Sequence, residues 1–236
     1  MKGYSAQQVR EAEAPHLAAG EPLMARASKA LADRCERVLM DSGVNLAHAR
    51  VVVLAGAGNN GGDALFAAAI LAGLRMSVEL VLVAGRAHAE GLDAALAAGA
   101  VIVDAVPAKV AASARSADLV VDGILGTGTS PDPRLRGTAR DVVAAVAAGL
   151  HPASPGRQAG AKVVAVDIPS GIHPDTGAVP EPEAVLRADT TVTFGGAKAG
   201  LLRYPGSDFA GDIRIADIGL GADLEKLAPL VDSPQV

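Results

Sequence analysis

The sequence predicts an α/β protein: a three-layer α/β/α sandwich with a mostly parallel central sheet, preceded by N-terminal helices. Three observations carry that expectation. From residue 49 onward, short runs rich in Val, Ile and Leu alternate with helical stretches, the rhythm of strands joined by crossover helices. The runs show no apolar/polar alternation, so their strands should be covered on both faces, as in parallel sheets. Polar residues gather where the runs end, which is where open parallel sheets bind ligands.

Taken in order, residues 5–42 read as helices. "SAQQVREAEA" opens with Ser5 as an N-cap, and "LMARASKALADRCERVLM" places Leu23, Ala27, Leu31 and Val38 at helical spacing with charges between them. Gly20-Glu21-Pro22 separates the two segments. "ARVVVLAG" is a strand, "GDALFAAAILAGL" a helix, "SVELVLVAG" a strand and "AEGLDAALAAGA" a helix. "VIVDAV" and "ADLVVDGILG" follow as strands, then "RLRGTARDVVAAVAAGL" as a helix with Arg and Asp on its wet side. "AKVVAVDIPSG", "ADTTVTFGG" and "GDIRIADIGL" are the last strands, and "HPASPGRQAG" (151–160) reads as a surface loop. No linker divides the 236 residues, so one domain over 1–236 is expected.

Half of the residues are hydrophobic, but five aromatic residues imply a core of aliphatic side chains at close spacing. A net charge of −5 with both signs interspersed excludes a general nucleic-acid or anionic-membrane surface. Cys35 is the one cysteine, so neither an intrachain disulfide nor a cysteine metal cluster can form. The start "MKGYSAQQVREAEAPHL" lacks an apolar signal region, and the longest apolar stretch, near 64–72, is too short to span a bilayer. A cytoplasmic protein is expected.

Three strand ends hold the candidate chemistry. "GAGNNGGD" follows the first run and satisfies G-x-G-x-x-G, the dinucleotide-binding fingerprint. Its two supports are missing: the end of the next run, "LVLVAGRAH", offers Arg86 where a ribose-binding acid belongs, about 20 positions on. Asp63 would also repel phosphate from the helix start. As a plain strand-to-helix turn, the loop would use Asp63 as a helix cap, which leaves two asparagines among four glycines unexplained. The second end, "VDGILGTGTSPDPRLRG", carries Asp122 and then Gly126-Thr127-Gly128; the third, "VVAVDIPSG", carries Asp167 before Pro169-Ser170-Gly171. Either aspartate could be a carboxylate satisfied by its own turn. Three such residues at the ends of different strands of one sheet point instead to a site on a Rossmann-like frame.

At these residues the chain resembles the NAD(P)H-hydrate epimerase family, also called the YjeF N-terminal domain family. "GAGNNGGDALFAA" is similar to its GxGNNGGDG motif, "VDGILGTGTS" to VDAxFGTGL, "VDIPSGIHPDTG" to VDxPSGxxxDTG and "ADTTVTFGGAKAGLL" to ADxTVTFxxxKxGL. "EAEAPHLAAGEPLMARASKALA" resembles its helical start. Ala64, Thr129, Ser28 and Gly196-Ala197 depart from the pattern without removing a polar group, though Ala64 could tighten the loop. The resemblance implies epimerisation of the R and S forms of NADHX and NADPHX, nicotinamide cofactors hydrated at C6. It implies that Asn59, Asn60, Gly61, Gly62 and Asp63, with Gly126, Thr127, Gly128, Thr129, Ser130, Pro131 and Asp132, and Asp167, contact the hydrate. One K⁺ per subunit is implied on Asn60, Asp122 and Ser170, an amide, a carboxylate and a hydroxyl that suit a hard cation. A homodimer and a separate or fused NAD(P)HX dehydratase are the implied companions.

Inverting C6 requires a group that gives and takes a proton, and Asp167, at a strand end, is the candidate for that catalytic role. The hydroxyls of Thr127, Thr129 and Ser130 suit a phosphate cradle. Lys198 is a weaker candidate, for phosphate or for a structural pair, against a solvated lysine; His173 reads as a surface histidine. Two other functions compete. A non-catalytic nucleotide-binding or scaffold module would not need these asparagines, aspartates and Ser170 together. An NAD(P)-dependent oxidoreductase is opposed by the missing ribose acid and by Asp63.

Overall fold

The computed structural model describes residues 1–128, 132–150 and 160–233, so the surface loop expected at 151–160 lies, apart from Gly160, outside the described residues. Seven strands form one sheet: β2 (Arg50–Ala55), β3 (Ser77–Leu82), β4 (Val101–Val103), β5 (Leu119–Gly123), β6 (Lys162–Val166), β7 (Thr190–Phe194) and β9 (Asp212–Ala216). Their order is β4-β3-β2-β5-β6-β7-β9, and every pairing is parallel. The order reverses between β2 and β5. Such a switch point opens a crevice beyond the carboxyl ends of the two strands.

Helices α1 (Ala6–Ala18) and α2 (Leu23–Asp41) precede the sheet, as the spacing predicts. Ser5 is the N-cap: its side chain accepts from Gln8 N–H while the Gln8 side chain accepts from Ser5 N–H. Between strands come α3 (Asn59–Gly73), α4 (Ala89–Ala97), α5 (Pro107–Ser116) and α6 (Gly137–Leu150). α5 is not expected from the sequence, because its stretch PAKVAASARS has too few large apolar residues to announce a helix face. Short α7 (Ser207–Ala210) and α8 (Gly221–Leu224) follow late in the chain.

The absence of alternation in the strands has the expected cause. Val51, Val53, Leu119, Val121, Val164 and Val166 pack with Leu31, Leu39, Leu65 and Leu71 of α2 and α3 on one face. Val52, Leu54, Val120 and Val163 pack with Val110 of α5 and Val142, Val143 and Val146 of α6 on the other. The edge strands depart from the expectation: β4 exposes Val101 and Ile102, and β9 is largely exposed or half-buried.

A second sheet has no counterpart in the sequence reading. Strand β1 (Lys2–Tyr4) lies between β10 (Val231–Asp232), antiparallel, and β8 (Ala197–Lys198), parallel. It joins the chain's start to the segment that carries Lys198.

Candidate active site

The glycine-rich loop is folded by close approach. A Cβ on Gly56 would lie 1.9 Å from the Ile124 carbonyl oxygen, and one on Gly61 would lie 2.0 Å from the Gly56 carbonyl oxygen. Only glycine lets β2, the start of α3 and the end of β5 meet this tightly. Gly123 faces the Ala64 methyl, 2.4 Å from where its own Cβ would be, so the alanine fills space against a glycine.

Asp63 does not cap the helix. α3 begins at Asn59 after Gly58, with no side-chain cap, and Asp63 falls in the second turn, where no backbone N–H is free. It is instead buried, 7% exposed, and makes no hydrogen bond to a described residue.

Asp122, at the end of β5, is fully buried. Its oxygens accept from Ser170 Oγ at 2.6 Å, Ser170 N–H at 2.8 Å and Ile124 N–H at 3.4 Å. Burial pushes its carboxyl up, and the Ser170 and Ile124 hydrogen bonds oppose that rise. Ser170 Oγ also accepts from Leu125 N–H at 2.9 Å and lies 3.3 Å from the Leu125 carbonyl oxygen. Asn60, buried on α3, places Oδ1 against Gly126, while its Nδ2 is buried without a partner. Thus Asn60, Asp122, Ser170 and Gly126 lie close together. No Lys, Arg or His pairs with Asp122 among the described residues, and the converging oxygens are an amide, a carboxylate, a hydroxyl and a backbone carbonyl. That donor set fits a hard monovalent cation and not a soft metal.

Asp167 ends β6 with φ at +66°, and Ile168 N–H bonds back to the Val166 carbonyl at 2.8 Å. This is a tight three-residue turn around a left-handed aspartate, a conformation that non-glycine residues hold at a cost of order 1 kcal/mol or more. Its Oδ1 accepts from Lys198 Nζ in direct contact, from Thr193 Oγ1 at 3.2 Å and from Phe194 N–H at 3.4 Å. Its Oδ2 makes no such bond to a described residue. Lys198, on β8, is 1% exposed and also donates to the Phe194 carbonyl at 3.0 Å. The solvated-lysine and phosphate readings of Lys198 are therefore replaced by the structural pair.

Glu13, on α1, was not singled out from the sequence. It belongs to the same cluster: burial pushes its carboxyl up, Lys198 pulls it down, Asp167 pushes it up and Arg10 pulls it down. Arg10, one turn earlier, donates from Nη1 to the Thr127 carbonyl at 2.8 Å and so ties α1 to the second loop. The signal was available: Ala6, Val9 and Glu13 share a helical face, so a carboxylate sits on the apolar stripe.

Other expected residues are more peripheral. Asn59 and Gly128 are exposed, and Gly61 and Gly62 are buried in α3. Asp132 is engaged by Arg134 and Arg136, and the Arg134 N–H does most to lower its carboxyl. Thr129, Ser130 and Pro131 lie outside the described residues. His173 is half-buried and uses Nδ1 to accept from Asp175 and Thr176 N–H in its own turn.

A family model described as YjeF-related protein N-terminus matches residues 20–200. An NAD(P)H-hydrate epimerase of Clavibacter michiganensis subsp. michiganensis is 50% identical over 232 residues, covering 97% of this chain and 94% of that protein. The bifunctional NAD(P)H-hydrate repair enzyme Nnr of Mycobacterium tuberculosis is 38% identical over 225 residues, which make up 94% of this chain and 42% of that protein. The crystal structure of yeast ynu0 matches with a TM-score of 0.73 at 18% identity, over 91% of this chain and 87% of that one, a likeness of fold.

Proposed function

The chain belongs to the family of YjeF-related N-terminal domains, and from that premise we propose that it interconverts the R and S epimers of NADHX and NADPHX, a repair isomerisation. The observation that supports this best is Asp167: a left-handed aspartate at a strand end, one oxygen anchored by a buried lysine and the other unengaged. Epimerisation at C6 requires either the hydroxyl to leave and return or the ring to open and close, and both require proton transfer beside C6. Asp167 Oδ2, which no described donor engages, would accept that proton. Lys198 fixes the carboxylate's direction and offsets its charge.

Asn59 to Asp63 and the described residues of the second loop, Gly126, Thr127, Gly128 and Asp132, would contact the hydrate. Asn60, Asp122 and Ser170 would hold K⁺, which supplies a fixed positive charge beside an anionic dinucleotide. Asn60 Nδ2, buried without a protein partner, is free to donate to a substrate oxygen. A dehydratase acting on one epimer, fused or separate, would consume the product, in keeping with the bifunctional repair enzyme among its relatives. Among the described residues no helix is long and apolar enough to cross a membrane.

The test is direct. Pure R-NADHX is incubated with the protein in K⁺ buffer, and the epimer ratio is followed by chromatography beside a protein-free control. Equilibration no faster than the control would refute the proposal.

A further inference from the structure

Proton transfer beside C6 needs a donor as well as an acceptor, and the three buried aspartates among the described residues are not equivalent. Asp122 has both oxygens occupied by Ser170 and Ile124. Asp167 stands against a lysine ammonium, the setting of a carboxylate that accepts protons. Asp63 has neither: it is as buried as Asp167, yet no described donor satisfies its oxygens. Its oxygens are not sealed off without a partner as Asn60 Nδ2 is, so they remain open to a bound ligand.

Resting on the epimerase reading above, we propose that Asp63 is the proton donor of the reaction, presenting a neutral carboxylic acid to the C6 hydroxyl while Asp167 serves as the base. The charged groups that face Asp63 are Asp167 at the end of β6, Glu13 on α1 and Lys198 on β8. Two of the three are carboxyl groups, and the lysine is already paired with one of them. Burial, then the charges of Asp167 and Glu13, push the Asp63 carboxyl up to about 8, with Lys198 opposing. Two neighbouring carboxyl groups thus sit in different settings, Asp167 against a lysine and Asp63 without a protein donor among the described residues, the kind of difference that separates an acid from a base.

The step balances. The Asp63 proton moves to the C6 hydroxyl oxygen, the C6–O bond breaks, and its electron pair leaves on water. The lone pair of the ring nitrogen stabilises the cation left at C6. Water then adds to C6 from the Asp167 side, a new C6–O bond forms, and Asp167 takes the surplus proton. That proton returns from Asp167 to Asp63, and no oxidant or reductant is involved.

The experiment compares the parent, Asp63→Asn and Asp63→Glu with R-NADHX in K⁺ buffer, measuring kcat, KM and their pH profiles against a protein-free control. The parent is expected to lose kcat on the alkaline side as Asp63 ionises. Asp63→Asn should lose about 10²- to 10⁴-fold in kcat, with a much smaller change in KM, and should lose the alkaline limb. Asp63→Glu, which keeps an acid, should recover part of the rate and keep the limb. Infrared difference spectra at neutral pH should show a protonated carboxyl band in the parent that is missing in Asp63→Asn. A parent that does not accelerate epimerisation overturns the epimerase reading itself. An active parent whose Asp63→Asn variant stays within a few-fold in kcat overturns only the role of Asp63. Equal impairment of Asn and Glu variants, with KM raised and the limb retained, would assign Asp63 to binding and also overturn it.

Discussion

Replacing Lys198 with methionine isolates the buried pair at the centre of the site. Methionine matches the length of the lysine stem and packs in apolar surroundings, so the change removes a charge and little volume. It leaves Asp167, 7% exposed, with a threonine hydroxyl and one backbone N–H but no cation. Removing one partner of a buried pair typically destabilises by about 3–5 kcal/mol, because the remaining charge is stranded. With an unfolding entropy of about 2.1 cal/mol/K per residue, a chain of 236 residues should then lose roughly 6–10 °C in Tm. The double variant Lys198→Met/Asp167→Asn removes both charges and should regain most of that loss. Scanning calorimetry on the parent, the two single variants and the double variant measures the coupling. A Lys198→Met protein as stable as the parent would refute the reasoning, and so would a double variant no more stable than Lys198→Met.

Three further outcomes are expected. Asp167→Asn should slow epimerisation about 10²- to 10⁴-fold while hydrate affinity, measured by calorimetry, changes little; a rate within a few-fold of the parent removes Asp167 from the chemistry. Crystals grown with K⁺ should show an anomalous peak among Asn60, Asp122 and Ser170 at a wavelength sensitive to potassium, and Asp122→Ala should abolish it. Asp63→Asn should flatten the loss of stability with rising pH. The folded-state value of Asp63, about 8, exceeds the unfolded value, so the folded protein binds the extra proton and stability declines as pH rises from about 4 to about 8. Urea midpoints across that range check the sign, and an identical slope in parent and variant would contradict it.

The parts of the fold legible in the sequence are those with a long repeating signal. β2, α3 and β3 could be read because each run is several residues long and bounded by glycine. β1, β8 and β10 could not be, because two or three residues carry no period and their pairing joins opposite ends of the chain. The site divides the same way. The aspartates of the strand ends stand out beside glycine and proline turns. Lys198 and Glu13 do not, since a charge on a short strand or a helix looks solvated until its neighbours are known. Each still left a trace: Lys198 is a lone cation in an apolar and glycine run, and Glu13 lies on the face of Val9.

The small three-stranded sheet sets when the protein can begin to work during its synthesis. Tyr4 is in register with Lys198, so β1 must wait for a partner nearly two hundred residues further along the chain. At about 5–20 residues per second that interval is on the order of ten to forty seconds. Until it ends, β1 has no parallel strand to lie against, and the lysine that holds Asp167 has not been made. β10, which flanks β1 on its other side, is made later still. A nascent chain that already carries β2 to β6 can assemble the centre of its sheet before Lys198, the cation against Asp167, exists.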